Sequence, residues 1–303
     1  MTDPTMATEK RAKGAWREAF EGILRNRTAL AGLVILSILA FVGVFAPLLA
    51  PYDPIQPTMR ERLTPPSAKH WFGQDEMGRD ILSRVIYGAR ISLTIGIVAV
   101  AVGMIVGVPW GLLSGFYGGK LDLISQRLLD VLLAFPAIIL VILVVTVLGR
   151  GLWNAMIVIG ITQVPRYARV VRGSVLALRD TEYVQAARAL GASDTRILAR
   201  HILPNILGPV VVLGTLYTAS AILTAAGLGF LGLGAQAPTP EWGAMLSRAR
   251  EYLRVAPHVS LFPGLAIFFS VIGFNLLGDG LRDAIDPRPV SYTHLTLPTK
   301  RIV

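Results

Sequence analysis

Long runs without a charged residue alternate with short polar segments along this 303-residue chain. A membrane hydrocarbon core about 30 Å thick is crossed by about 20 consecutive apolar residues in a helix. Most of the runs reach about that length, and 151–165 is shorter. The runs are Thr28–Tyr52, Ile91–Gly119, Val131–Gly149, Gly151–Pro165, Ile202–Pro240 and Val255–Gly278. The pattern therefore predicts an all-α membrane protein with six transmembrane helices.

Charge distribution favours counting the short run 151–165 as a crossing. If this run did not cross, the arginine-rich segment 166–200 would lie outside the cell. That placement would contradict the rule that basic residues accumulate in cytoplasmic loops. We therefore expect six spans with both termini in the cytoplasm. Proline should kink the second and third spans at Pro109 and Pro136. No charged group is expected at mid-span; the polar residues in or at the edges of the spans are Asn154, Gln163, Asn275 and Asp279, with Asp279 at the inner edge.

Composition agrees with a membrane location. Hydrophobic residues make up 53% of the chain and charged residues 16%, whereas a soluble domain carries about 25% charged residues. The net charge of +10 is compatible with binding either to nucleic acid or to the anionic face of a membrane. In so apolar a chain, binding to the membrane face is favoured. The chain has no cysteine, which excludes disulfides and thiolate metal sites.

The polar segment 182–204 lies between two apolar runs and has a helical pattern. Ala186, Ala187 and Leu190 share one face, and Gly191 is placed to end that helix in a left-handed turn. Ser193 and Asp194 are suitable caps for a second short helix that carries Ile197 and Leu198. Pro204 is expected to end it at the start of the next span. By pattern alone, a DNA-binding motif or an amphipathic connector lying on lipid would also fit.

The same segment resembles the EAA loop of type I importers of the ATP-binding cassette (ABC) class. The match aligns Gln185-Ala186-Ala187, Gly191 and His201-Ile202-Leu203-Pro204 with the family pattern, with Gln185 and His201 replacing its Glu and Ile. An acid, Glu182, stands three residues upstream. The resemblance implies that this loop contacts partner ATPases. The contact residues it implies are Glu182, Gln185, Ala186, Ala187, Gly191, Leu203 and Pro204.

Three further segments, 70–93, 237–253 and 262–288, resemble permeases of the DppC/OppC type, which serve dipeptide and oligopeptide ABC importers. This resemblance implies the type I ABC importer permease fold in a bacterial or archaeal cell membrane. The partners it implies are a homologous permease subunit, two ABC ATPase subunits and an extracytoplasmic solute-binding protein. No cofactor and no nucleic acid are expected. Nickel chelates or another small solute remain alternatives to peptides.

The resemblance also divides the chain. A basic cytoplasmic N-terminus (1–27) precedes the first helix and an extracytoplasmic loop (28–90), and the permease domain follows (91–280). A cytoplasmic C-terminus (281–288) precedes a tail, 289–303, that resembles translated adaptor or vector sequence; a genuine disordered tail is the alternative.

The loop before the second span carries polar and glycine residues that could shape an outer gate or dock the binding protein. These residues are Gly73, Asp75, Gly78, Arg79 and Asp80. In the alternative interpretation, Asp80 and Arg84 simply pair on a short interfacial helix.

Catalytic chemistry is not expected of this chain. Its one Gly-Lys pair, Gly119-Lys120, lacks the other residues of a phosphate-binding P-loop, and its four histidines have no metal-site spacing. ATP hydrolysis is therefore assigned to partner subunits. An ion-coupled secondary transporter is the alternative from another class, and the lack of mid-membrane carboxylates argues against it.

Overall fold

The computed structural model describes Leu24 and residues 26–285. The predictions for the basic N-terminus before Leu24 and for the tail 289–303 lie outside the described residues. The described part is helical. Its α-helices are α1 (Arg27–Val44), α2 (Ala46–Leu49), α3 (Ile81–Tyr117), α4 (Gly119–Ala134), α5 (Ala137–Leu148), α6 (Leu152–Leu178), α7 (Glu182–Ala189), α8 (Asp194–Ile197), α9 (Leu203–Phe230), α10 (Trp242–Ala249) and α11 (His258–Ile285).

Several of these helices have the length and apolar character of membrane spans. Four described helical rods qualify, namely α1, α3, the continuous rod Asp194–Phe230 and α11. The pair α4 and α5 qualifies as a fifth only if it is one broken span, because the two helices are bent by 87°. The residues at the break, Phe135 and Pro136, are extended, as expected for a proline and the residue before it. The predicted kink at Pro136 is therefore observed.

Glycines let α3 and α6 pack side by side. A Cβ atom on Gly107 would lie 2.7 Å from Cβ of Tyr167, and one on Gly111 would lie 2.4 Å from the carbonyl oxygen of Ala168. Such small residues allow helix backbones to approach closely in membranes. Because the contacts advance along both helices together, α3 and α6 run parallel. The bent pair α4 and α5 returns the chain between them.

The helices α1, α9 and α11 complete the bundle. Gly278 of α11 packs on Leu216 of α9, and Gly280 of α11 packs on Ala29 of α1. The side-chain amide of Asn26 donates to a carboxylate oxygen of Asp283 at 3.3 Å. The two ends of the described chain therefore meet at one end of the bundle, which also holds α7 and is named the α7 end. The opposite end carries residues 51–80, named the cap.

Two helices extend beyond the uncharged runs that predicted them. The run Ile91–Gly119 was predicted to hold the second span, and α3 contains most of it but begins at Ile81, where Asp80 caps it; within the extension, the buried guanidinium of Arg84 donates to the carbonyl of Pro54 and lies 3.3 Å from a carboxylate oxygen of Asp75. The run Gly151–Pro165 was predicted to hold the fourth span, and α6 continues beyond it to Leu178. Counting uncharged residues missed both extensions, since a helix can contain a charged side chain that has a partner, such as Asp75 for Arg84 or Gln163 for Arg166.

Candidate functional site

The segment after α6 forms the short helix α7, which a glycine turn closes. Gly191 has φ of +80°, a conformation open to glycine and costly for most residues. The N–H of Gly191 donates to the carbonyl of Arg188 (3.0 Å), and the N–H of Ala192 donates to that of Ala187 (3.1 Å). This paired pattern is the Schellman ending of a helix. The left-handed turn predicted at Gly191 is therefore observed.

The helix α7 is held firmly against the bundle. Val184 is fully buried in the same hydrophobic cluster as Val175 of α6 and Ile197 of α8. The guanidinium of Arg188 lies 5.6 Å from the ring centre of Phe116 on α3, close enough for a cation–π interaction. These contacts connect α7 to α3, α6 and α8.

The outward face of α7 consists largely of small and polar residues. Leu190, just after the helix, is 88% exposed. Of the predicted coupling residues, most lie on this exposed surface and Ala187 is half-buried. The exposed ones are Glu182, Gln185, Ala186, Gly191 and, on α9, Pro204.

The remaining predicted coupling residues, Leu203 and Pro204, form the first turn of α9. A π turn, Leu198–Ile202, joins α8 to α9 without a break. Pro204 therefore stands in the first turn of the next long helix, as predicted, but it does not separate that helix from α8. The wider π turn accommodates a proline ring that would clash inside a regular α-helix. Ser193 caps α8 by position, although its side chain makes no capping hydrogen bond.

At the opposite end of the bundle, Asp75 organises a buried ion network in the cap. One of its carboxylate oxygens accepts from the backbone N–H groups of Met77 and Arg79, both at 2.9 Å. The other accepts from Nε of Arg79 at 2.7 Å and lies 3.3 Å from Nε of Arg84. Asp75, Arg79 and Arg84 are each at most 3% exposed. The network joins the loop to the first turn of α3.

Asp80 has a different role from the one expected if it paired with Arg84. Its carboxylate accepts from the N–H and the hydroxyl of Ser83, which caps α3, and contacts Nδ1 of His70 at 2.9 Å. The Asp80–Arg84 pairing is therefore wrong, because each side chain has another partner. Gly73 and Gly78 have φ of +76° and +73°, which gives the cap its tight turns.

All five predicted cap residues are buried, and the side chains of the three charged ones, Asp75, Arg79 and Asp80, hold the cap in shape. The exposed cap residues nearby are Trp71 (70%) and Met77 (40%). A partner that docks on this end would therefore touch the residues that the buried network positions.

Glu241 is a buried acid that the sequence pattern did not indicate. It precedes α10, where its two carboxylate oxygens accept from the N–H groups of Gly243 (2.8 Å) and Ala244 (2.7 Å). Burial raises the pKa of Glu241 to about 7, although the two hydrogen bonds favour the charged form. The carboxyl is therefore poised to titrate near neutral pH.

Arg166 is the second functional candidate that was missed. It lies midway along α6, where its guanidinium donates to Oε1 of Gln163 (3.2 Å) and lies 5.7 Å from the ring centre of Tyr217. The uncharged run stops at Pro165, whereas α6 continues past it to Leu178 and so carries a charged residue near its centre. The apolar spacing Val164, Ala168, Val171, Val175 continues beyond Pro165 and could have revealed the extension.

Metal binding receives no support from residue clustering. Within residues 26–285, no group of three or more His, Asp or Glu side chains could hold a metal ion.

A bundle of apolar helices with a polar helix fixed at one end defines an α-helical, multi-pass membrane protein. Comparison with protein families identifies its kind. Residues 107–291 match the family described as "Binding-protein-dependent transport system inner membrane component", and residues 14–66 match the "N-terminal TM domain of oligopeptide transport permease C". The chain belongs to this family of ABC importer permeases, which are inner-membrane components and not themselves enzymes.

Curated relatives cover nearly the whole chain. A dipeptide transport system permease protein DppC of Alkalihalophilus pseudofirmus is 49% identical over 277 residues, 91% of each chain. A glutathione transport system permease protein GsiD of Pectobacterium atrosepticum is 47% identical over 281 residues, 92% of this chain and 93% of that one.

The fold also matches a solved transporter. An inward-facing structure of the MetNI methionine ABC transporter aligns with a TM-score of 0.56 at 21% identity, covering 67% of this chain and 97% of that chain. At this identity the likeness concerns the fold, which is that of an ABC importer permease.

Proposed function

We propose that this chain forms part of the translocation path of an ATP-driven importer of di- or oligopeptides and is coupled to ATPases through α7. The observation that carries the proposal is the exposed helix α7, fixed to α3, α6 and α8 at one end of the bundle. ATP hydrolysis belongs to the partner subunits.

The surface of α7 suits a partner cleft. Ala186 and Gly191 are exposed and small, so a partner backbone can come close, while Leu190 offers an apolar anchor. A rigid-body motion of the ATPases would be transmitted through Val184 and Arg188 to the spans behind them.

Six spans are supported by the direction of the helices. Because α6 packs parallel to α3, the chain must cross the layer between them through α4 and α5, and α6 must cross again. The contact of Asn26 with Asp283 supports both termini on one side. The basic residues around α7 favour the cytoplasm for that side.

The substrate assignment follows the relatives, which are named for dipeptide and glutathione transport. The expected partners are a homologous permease subunit, two ABC ATPase subunits and an extracytoplasmic solute-binding protein. The binding protein would dock near Trp71 and Met77, whose positions depend on the buried Asp75 network. Import of nickel chelates or another small solute is the alternative within this class.

The proposal is tested by reconstitution. The chain is co-expressed with candidate permease, ATPase and binding-protein genes from the same genome, and the assembly is purified through a tag on this chain. We expect ATPases to co-purify and proteoliposomes to accumulate labelled dipeptide or glutathione only with ATP and the binding protein. Uptake driven by an ion gradient without ATP would overturn the proposal in favour of a secondary transporter.

A further inference from the structure

We infer that Arg166 and the cavity beside it bind the carboxylate group of the solute during translocation. This inference rests on the importer function proposed above and adds a solute-contacting residue to it. It starts from a cavity, a charge without a charged partner and a broken span that meet at one place.

The cavity lies where α4 and α5 bend apart and α6 passes behind them. Its volume is about 230 Å³. Six of the residues around it define its character: Phe135, Pro136, Leu140, Ile161, Thr162 and Arg166. The polar lining residues are Thr162 and Arg166, and the others are apolar; a few placed polar groups among apolar side chains are typical of small-molecule sites.

Arg166 differs from the neighbouring arginines in its partners. Arg169 pairs with Asp130, Arg172 with Asp122, and Arg179 with Asp180. Within residues 26–285, no carboxylate lies within ion-pair distance of Arg166, whose described contacts are the neutral Gln163 and the ring of Tyr217. Its guanidinium thus keeps donors that an anionic ligand can use.

The chemistry of the site selects the ligand class. A guanidinium binds a carboxylate through two parallel hydrogen bonds. The electrostatic attraction between the two groups is stronger among apolar side chains than in water, because the effective dielectric constant is lower there. Ionisable groups inside membrane proteins commonly mark a solute path, and such paths are often bordered by broken helices. Both features occur here, at Arg166 and at the break before Ala137.

The size of the cavity limits what it holds. Pockets for whole drug-sized ligands measure about 300–1,000 Å³, more than the 230 Å³ found here. The site therefore accommodates one end of an extended solute, such as the C-terminal residue of a peptide.

A labelling experiment tests the site without relying on transport. Thr162 lines the cavity, and its replacement by cysteine gives the only thiol in this chain. In the complete transporter we expect Thr162→Cys to react roughly tenfold faster with an anionic methanethiosulfonate than with a cationic one of similar size. Arg166→Gln should bring the ratio close to one, and Ala-Ala should slow labelling more than its C-terminal amide does.

Uptake supplies the second readout. In variants that retain normal ATPase co-purification, we expect Arg166→Gln to lower the maximal uptake rate of Ala-Ala at least tenfold and Arg166→Lys to restore part of it. Arg169→Gln removes the same charge from the same helix outside the cavity, and its uptake should stay within about twofold of wild type.

The inference is overturned if the labelling ratio is the same with and without Arg166, or if Ala-Ala and its amide protect equally. Its failure is separable from failure of the importer assignment. If only the inference about Arg166 fails, wild-type uptake is intact and the labelling ratio does not respond to Arg166. If only the importer assignment fails, ATP-driven uptake is missing from wild type while the labelling ratio still depends on Arg166.

Discussion

Ala192 donates its backbone N–H to the carbonyl oxygen of Ala187, 3.1 Å away, across the left-handed turn at Gly191. This bond fixes where α7 ends and how α8 departs from it. The exposed surface proposed to meet an ATPase therefore depends on one backbone conformation.

Replacement of Gly191 by valine should uncouple the transporter. A Cβ atom at Gly191 would meet nothing within 4 Å, so the cost arises from the left-handed conformation, about 1–2 kcal/mol for an L-residue and more for a β-branched one. We expect Gly191→Val to insert in the membrane, lose ATPase co-purification and show at least a tenfold loss of solute uptake.

Gly191→Asn is the matched control, because asparagine tolerates the left-handed region better than other residues with side chains. It should retain more co-purification and uptake than Gly191→Val. Normal uptake by Gly191→Val would show that this turn does not couple the two proteins.

The orientation of the bundle can be tested with single cysteines. Ser193 lies at the α7 end, and Met77 is exposed on the cap. In intact cells, a membrane-impermeant thiol reagent should label Met77→Cys on this chain and leave Ser193→Cys unlabelled until the cells are opened. Labelling of Ser193→Cys in intact cells would reverse the proposed topology.

Much of the fold was predictable from periodicity and uncharged runs. The helical character, the proline break at Pro136 and the glycine turn at Gly191 all follow from local preferences that membrane packing does not oppose. The start of α3 and the end of α6 did not follow, because tertiary contacts neutralise or accommodate Arg84 and Arg166 inside helices.

The candidate sites were predictable to different degrees. The coupling segment is contiguous, so a sequence pattern could locate it. The cavity at Arg166 brings together residues from α4, α5 and α6, and only the fold shows that they meet. The cap residues were found, but their burial was not, since alternating glycines and charges look the same in an exposed loop and in a buried ion network.

Loss of the carboxylate at Asp75 should destabilise the cap. Asp75→Ala leaves Arg79 and Arg84 buried without their shared partner, and removing one member of a buried ion pair costs about 3–5 kcal/mol. We expect a marked fall in the melting temperature in detergent. Asp53→Ala removes an exposed aspartate of the same loop and should have a much smaller effect; equal effects would contradict the buried-network interpretation.

Stability should depend on pH through Glu241. Burial raises the pKa of this carboxyl from 4.5 to about 7, so between those values the folded chain keeps a proton that the unfolded chain has lost. The free energy of unfolding is therefore highest below pH 4.5, falls as the pH rises to about 7 and is constant above that. The total loss is up to about 3 kcal/mol, since one pKa unit corresponds to about 1.4 kcal/mol.

Glu241→Gln keeps an oxygen that can accept one of the two backbone hydrogen bonds and cannot ionise. We therefore expect the melting temperature of wild type, measured in detergent from pH 5 to pH 8, to fall relative to that of Glu241→Gln. Glu251→Gln, which alters an exposed glutamate of the same segment, should follow wild type. A constant difference between wild type and Glu241→Gln across this range would show that Glu241 does not titrate there.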